Sequence, residues 1–293
     1  MAIAREQILI EALPYIREFH DSIMVIKVGG HAMVDPKIME DIVKDVVLLR
    51  YVGIHPIIVH GGGPEITQKM ETMGKKSEFV AGLRITDDET LEIARMVLVG
   101  NINTRIVSLI GLNGGKGLGL SGKDGQLIMA KKKALQRITY EGKEHDVDLG
   151  WVGDIELINP EILMMASGKG YIPVVAPIAV DEKGNSLNIN ADTVAGDIAV
   201  AMRAKKLILM TDVPGVLQKT DDESSRISRI QIDTVDDLIQ EGIISGGMIP
   251  KIRSAAHGVK RGVEKVHIID GSKSHSILLE LFTDMGIGTM IYH

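Results

Sequence analysis

A few short stretches hold the residues that could do chemistry. Lys27 sits in the apolar run Ile23-Met-Val-Ile-Lys-Val28, one residue before its end, and Gly29-Gly30 follow. Burying a lysine there is costly unless an anion meets it, and paired glycines let a backbone come close to a phosphate. Gly61-Gly62-Gly63 follow a second apolar run, Pro56-Ile-Ile-Val-His60, and precede a helix starting near Pro64. Backbone N–H groups at a helix N-terminus favour an anion. Asn188-Ile-Asn190-Ala-Asp192 alternates polar and apolar residues. In an extended chain that puts the polar side chains on one face, and Asp192 also stands where a helix cap would. Ser245-Gly246-Gly247-Met-Ile-Pro-Lys251 is a glycine turn entering a helix with a lysine in its first turns. Arg84, in Gly82-Leu-Arg-Ile-Thr86, could clamp a carboxylate with parallel hydrogen bonds, although a solvent-exposed arginine is the commoner outcome.

Paired lysines, glycine loops and an aspartate suit charge stabilisation rather than proton transfer. Phosphoryl transfer is mostly positioning and electrostatics. A carboxylate acceptor is already ionised at neutral pH and needs no general base. The nine histidines show no metal-ligand spacing, and the absence of cysteine excludes thiolate metal sites, disulfides and cysteine nucleophiles.

The elements that must hold these residues alternate. Apolar runs at 23–28, 56–60, 170–176, 206–211 and 263–270 read as strands. Stretches 37–51, 64 onward, 88–111, 192–203, 233–241, 247–261 and 274–283 read as helices. That rhythm predicts an α/β fold, a three-layer αβα sandwich on a mostly parallel sheet. Ligands in such sheets bind at the carboxyl ends of strands, where Lys27 and both glycine clusters fall. Residues 3–19 form an amphipathic helix with Pro14 inside, which should kink it. Residues 114–158 are Gly-rich and strand-like, and predict hairpins inserted near the middle.

Composition narrows the function classes. The chain has 293 residues, 45% hydrophobic and 25% charged, with a net charge of -6 and only 3% aromatics. These values disfavour nucleic-acid or anionic-membrane partners. No apolar run approaches a membrane span, and Met1–His20 has no secretory apolar core, so the expectation is a cytoplasmic protein. Gly117-Leu-Gly119-Leu-Ser-Gly122 matches a dinucleotide fingerprint, and with Lys123 nearly a phosphate loop. No strand precedes it, no clear helix follows it, and Asp124 stands where a Ser or Thr should hold magnesium. The expectation there is a turn-rich segment in or beside the active site.

Taken in order, these motifs together with Gly122-Lys-Asp-Gly125 resemble the amino acid kinase family, and within it the acetylglutamate kinases, over almost the whole chain. The resemblance implies transfer of a phosphoryl group from MgATP to the γ-carboxylate of N-acetyl-L-glutamate, the second step of arginine synthesis. It implies that Lys27 and Lys251 stabilise the transition state with Asp192 holding both. Gly29, Gly30 and Gly62 would donate to the transferring group, with Gly61 beside them. Gly62, Gly63, Arg84, Asn188 and Asn190 would bind acetylglutamate. Asp212, Val213, Gly215, Leu217, Ile243 and Ser245 would hold ATP, with magnesium on ATP oxygens and no protein metal site. The implied division is an oligomerisation helix at 1–20, an acetylglutamate lobe at 21–180 and an ATP lobe at 181–293. Asn103-Thr104-Arg105 departs from the Asn-Lys pair of many relatives.

His275-Ser-Ile-Leu-Leu-Glu280-Leu-Phe-Thr-Asp-Met-Gly286-Ile-Gly288-Thr289 resembles the C-terminal segment of the arginine-inhibited members. It implies L-arginine as an inhibitor contacting His275, Glu280, Gly286 and Gly288, with Lys206 as a further member. With the N-terminal helix, it implies a homo-oligomer, a dimer at least and a ring-shaped hexamer by that type. A sister kinase for acetylaminoadipate, and a non-catalytic arginine or nucleotide sensor, stay open at this point.

Overall fold

The apolar runs become strands of one central sheet. The computed structural model describes residues 5–80, 82–140, 143–219, 222–283 and 286–293. The sheet's strands are β1 Ile23–Val28, β2 His55–His60, β3 Gly117–Ser121, β4 Ile172–Ala176, β5 Lys206–Thr211, β6 Arg229–Gln231, β7 Lys265–Asp270 and β8 Thr289–Tyr292. Their spatial order is β6-β8-β7-β5-β1-β2-β4-β3, and every neighbouring pair is parallel except β7 with β8. Strands buried on both faces read as continuous apolar runs rather than alternating ones, which is why the central strands were visible in sequence.

The helices are α1 Arg5–Phe19, α2 Pro36–Tyr51, α3 Gly63–Thr72, α4 Asp88–Leu112, α5 Glu161–Gly168, α6 Ala191–Ala201, α7 Val235–Gln240, α8 Met248–Lys260 and α9 Ser276–Leu281. Alternate β1 residues serve opposite layers. Val25 packs with Ile198 and Ile252 on the α6/α8 side, and Met24 and Ile26 pack with Val43, Ile106 and Ile277 on the α2/α4/α9 side. This is the expected αβα sandwich. Pro14 lies inside α1, while Ile3 lies outside the described residues.

Several elements differ from expectation. Residues 117–121 are not a turn-rich segment but β3, the edge strand beside β4. Its glycines serve packing: a Cβ at Gly119 would sit 2.2 Å from Asn103 Oδ1. The rest of the 114–158 stretch does form hairpin-like strands, with Ile128–Lys132 antiparallel to Gly153–Ile158 and Gln136–Tyr140 antiparallel to Lys143–Val147. β6, β8 and α5 were not anticipated. α4 is one continuous helix of 25 residues whose middle, Met96–Asn103, is π-helical. By length and composition it could cross a membrane, contrary to the sequence reading. Here Ile93, Leu98, Ile102, Ile106 and Ile110 are buried in the core, so it acts as a core helix.

Candidate active site

β1 and β2 end side by side, with Val28 opposite His60. The two glycine clusters therefore leave the sheet together, and the Gly61 N–H donates to Val28 O at 2.8 Å. Gly30 has φ +62°, and a Cβ there would lie 2.2 Å from Asp212 Oδ1. At Gly62 a Cβ would lie 2.5 Å from Ile102 Cδ1 and 2.7 Å from Leu98 Cδ2. Both positions need glycine because another chain segment fills the space.

Asp192 bridges the lysines. Lys27 Nζ is 2.9 Å from its Oδ1 and Lys251 Nζ is 3.2 Å from its Oδ2. Burial alone would raise the Asp192 pKa, but the charges of Lys27 and Lys251 outweigh it and hold the carboxyl below its ordinary value. The helix cap is not Asp192 but Asn190, whose Oδ1 accepts from Asp192 N at 2.8 Å and Thr193 N at 3.2 Å. Capping by Asn190, worth about 1 kcal/mol, leaves the Asp192 carboxylate to the lysines.

A cavity of about 210 Å³ opens beside this bridge, walled by Lys27, Gly61–Gly63, Arg84, Asn188, Asn190 and Asp192. Arg84 is not exposed: it is 7% accessible and stacks on the Phe79 ring at 4.6 Å. Its Nη1 donates to Ser77 Oγ at 2.6 Å, and its Nη2 to Gly63 O at 2.9 Å and Thr67 Oγ1 at 2.8 Å. Asn188 Nδ2 donates to Thr86 Oγ1 at 3.3 Å, and that hydroxyl donates to Arg84 O at 2.9 Å. Ser77, Thr67 and Thr86 were not singled out in sequence, since lone hydroxyls carry no spacing pattern.

A second cavity of about 440 Å³ lies on the other side of the bridge. Asp212, Val213, Gly215, Leu217, Ile243 and Ser245 all line it, together with Lys251. Gly29 and Gly30 line neither cavity. They sit at the junction, where a Cβ on Gly29 would lie 2.4 Å from Lys27 Nζ and one on Gly30 would strike Asp212. No described group of His, Cys, Asp and Glu has the arrangement of a metal centre.

A third cavity, about 590 Å³, lies between α1, β5, β7, β8 and α9. Glu280, Gly286, Gly288 and Lys206 line it, with Arg226, Lys265 and His267. Glu280 Oε1 lies 2.5 Å from His267 Nδ1, and its Oε2 accepts from the N–H groups of Ile287 at 2.6 Å and Gly288 at 2.9 Å. Burial works to raise the Glu280 pKa, but these donors hold it below the usual range. Burial, and next Lys265, lower Lys206 to about 8. His275 is not here. It starts α9 in a left-handed conformation, and its Nδ1 lies 2.6 Å from Asp45 Oδ1 on α2. The histidine beside Glu280 is His267, hidden in the apolar run of β7 much as Lys27 is in β1.

A sequence model of the amino acid kinase family matches residues 22–270. The chain belongs to the amino acid kinase family. Among curated members, it is 73% identical over 288 residues to an acetylglutamate kinase of Methanococcoides burtonii, covering 98% of this chain and 95% of that one. It is 70% identical over 292 residues to the acetylglutamate kinase of Methanosarcina acetivorans, covering 100% and 98%. The fold also matches an N-acetylglutamate synthase from Neisseria gonorrhoeae complexed with coenzyme A and N-acetyl-glutamate, with TM-score 0.85 and 23% identity. This amino acid kinase fold covers 99% of the present chain and 64% of that longer one. The same synthase complexed with coenzyme A and L-arginine gives TM-score 0.81 at 22% identity, covering 99% and 66%. At these identities the structural likeness bears on fold alone.

Proposed function

We propose that this amino acid kinase transfers the γ-phosphoryl group of MgATP to the side-chain carboxylate of N-acetyl-L-glutamate, giving N-acetyl-L-glutamyl 5-phosphate and MgADP. The observation that carries the reading is the Asp192 bridge. Lys27 and Asp192 face the small cavity, Lys251 faces the large one, and one carboxylate holds both ammonium groups at 2.9 and 3.2 Å. Two positive charges against one negative leave an excess positive charge where the phosphoryl group must pass.

In this reading a carboxylate oxygen of acetylglutamate attacks the γ-phosphorus as the bond to the β–γ bridging oxygen breaks. No proton moves, because the acceptor is already ionised. Arg84 takes the α-carboxylate, and Asn188 and Gly63 complete the substrate wall, with Asn190 at its edge. Lys27, Lys251 and the N–H groups of Gly29, Gly30 and Gly62 stabilise charge on the transferring group, as oxyanion-hole donors do. Residues 212–217 with Ile243 and Ser245 hold the nucleotide, whose oxygens carry the magnesium. The 21–180 lobe carries most of the acetylglutamate site and the 181–293 lobe the ATP site, except that Asn188, Asn190 and Asp192 reach across.

The 590 Å³ cavity supports L-arginine as a feedback inhibitor, since it offers an anionic Glu280 and cationic Lys206 and Lys265 to a zwitterion with an extra cation. His275 takes no part in that contact. Exposed Ile10 (67%) and Leu13 (47%) on α1 fit self-association of this cytoplasmic enzyme through residues 1–20 into a dimer or hexamer.

The test traps acyl phosphate with hydroxylamine after incubation with MgATP and N-acetyl-L-glutamate. Hydroxamate is expected from the native protein, and Lys27→Ala should lower kcat about a hundredfold or more. Product with acetylaminoadipate but not acetylglutamate would move the reading to a sister kinase. No product with any carboxylate would leave a sensor.

A further inference from the structure

His60 is completely buried at the end of β2, does not itself line the substrate cavity, and has no role in the reaction derived above. Its Nδ1 lies 2.8 Å from Gly61 O, the carbonyl of the next residue. Its Nε2 lies 3.2 Å from Asn103 Nδ2, at the end of the π-helical segment. We propose that His60 and Asn103 form a positioning pair that locks the Gly61–Gly62 peptide and so aims the Gly62 N–H at the phosphoryl site. This rests on the phosphoryl-transfer reading above.

The hydrogen-bond roles follow from the partners. A carbonyl oxygen only accepts, so Nδ1 carries the imidazole proton. A neutral ring then has a lone pair on Nε2, which accepts from the Asn103 amide. That amide nitrogen also faces Val174 O at 2.8 Å, another pure acceptor, so its orientation is fixed as well. Burial lowers the His60 pKa to about 4, which keeps the ring neutral across the physiological range. The pair therefore holds one tautomer and one geometry.

In a trans peptide the C=O and N–H point in opposite directions. Holding Gly61 O on the His60 side directs the Gly62 N–H the other way, and Gly61, Gly62 and Gly63 wall the substrate cavity. The rest of the loop is equally constrained. Gly61 N–H is tied to Val28 O at 2.8 Å, and Gly62 O accepts from Ile66 N at 2.9 Å. Leu98 and Ile102, on the same π segment as Asn103, fill the space that a side chain at Gly62 would need. Glycines would otherwise let this peptide flip, since they carry no side-chain penalty. The π turn thus braces the glycine loop in two ways, with Asn103 acting on its carbonyl through His60 and Leu98 and Ile102 filling the side-chain space at Gly62.

Two variants of similar size make the test. His60→Leu removes the donor, whereas the amide of His60→Asn can return an N–H near the Nδ1 position. His60→Leu should lower kcat roughly thirtyfold to hundredfold, the scale of losing one transition-state donor, with KM for both substrates within about threefold. His60→Asn should recover at least tenfold of that loss at a Tm within a few degrees of His60→Leu. Equal kcat in the two variants, or a loss that appears in KM instead, would overturn the proposal. If His60→Leu does not fold, Asn103→Ala serves, and an unchanged kcat there would overturn it too. Nitrogen NMR of the native imidazole should show the Nδ1–H tautomer, and an Nε2–H tautomer would refute the pair whatever the activity. A native protein without hydroxamate would instead refute the phosphoryl-transfer reading.

Discussion

Asp192, half-buried, and Glu280, buried, both have carboxyl groups that are held ionised, but their partners differ. Asp192 meets Lys27 at 2.9 Å and Lys251 at 3.2 Å, so the cluster is left net positive. Glu280 meets His267 and the N–H groups of Ile287 and Gly288. Burial lowers the His267 pKa, so this histidine favours its neutral form, and backbone dipoles carry no net charge. The Glu280 charge therefore stays uncompensated by its direct partners. An acid spent on two cations leaves a place for phosphate, whereas an acid held by neutral donors leaves a place for a cation. Lys206 and Lys265 around the second acid then add room for a carboxylate, which is the pattern of an amino acid rather than a nucleotide.

The comparison breaks most readily at Arg84, an active-site cation whose guanidinium is held by neutral groups rather than by an acid. Its guanidinium is held by Ser77, Thr67 and Gly63 O in a plane that a lysine cannot reproduce. Arg84→Lys should raise KM for acetylglutamate about tenfold to hundredfold, the scale of one charged hydrogen bond, with kcat changed much less. Steady-state kinetics decide it. A fall in kcat at constant KM would place Arg84 on the transferring group and remove the distinction between binding and transfer residues.

At the other cavity the sharper probe is pH. Lys206 has a pKa lowered to about 8. If its ammonium receives the arginine carboxylate, only the protonated form binds well. Inhibition should then be constant below pH 7 and weaken by about tenfold between pH 7 and pH 9, by linkage to one proton. Inhibition titrations across that range measure it, and Lys206→Met should weaken inhibition while flattening the profile. A flat native profile would separate Lys206 from arginine.

The two regions also differed in how far the sequence exposed them. Lys27, the glycine clusters, Asp192 and Lys251 all lie where a strand ends or a helix begins, so chain order and glycine spacing marked them. The Asn190 cap was hidden because Asn190 and Asp192 are both good capping residues, and only geometry separates them. β3 was missed because glycines that make room for Asn103 look like turn glycines. Around Glu280 the lining comes from α1, β5, β7, β8 and the segment after α9, which no local pattern joins. His267 on β7 and His275 before α9 are equivalent as residues; strand register puts the first beside Glu280, and the left-handed turn into α9 puts the second beside Asp45.

Asp45, like Glu280 a buried acid, supplies the smallest test. Its Oδ1 lies 2.6 Å from His275 Nδ1, and burial pushes its pKa up to about 6 despite that histidine. An acid with a raised folded-state pKa holds its proton longer folded than unfolded. Its contribution to stability therefore declines as pH rises from about 4 through about 6, and stays low above. Asn at this position keeps an acceptor for His275 but never carries the charge. Asp45→Asn should raise Tm by a few degrees at pH 8, with a clearly smaller gain at pH 5, because a two-unit shift bounds the effect at about 3 kcal/mol. Thermal melts at the two pH values read the difference. A loss of Tm at pH 8 would mean that His275 is charged and pairs Asp45 as firmly as the lysines pair Asp192, and the contrast between compensated and uncompensated acids would then rest on Glu280 alone.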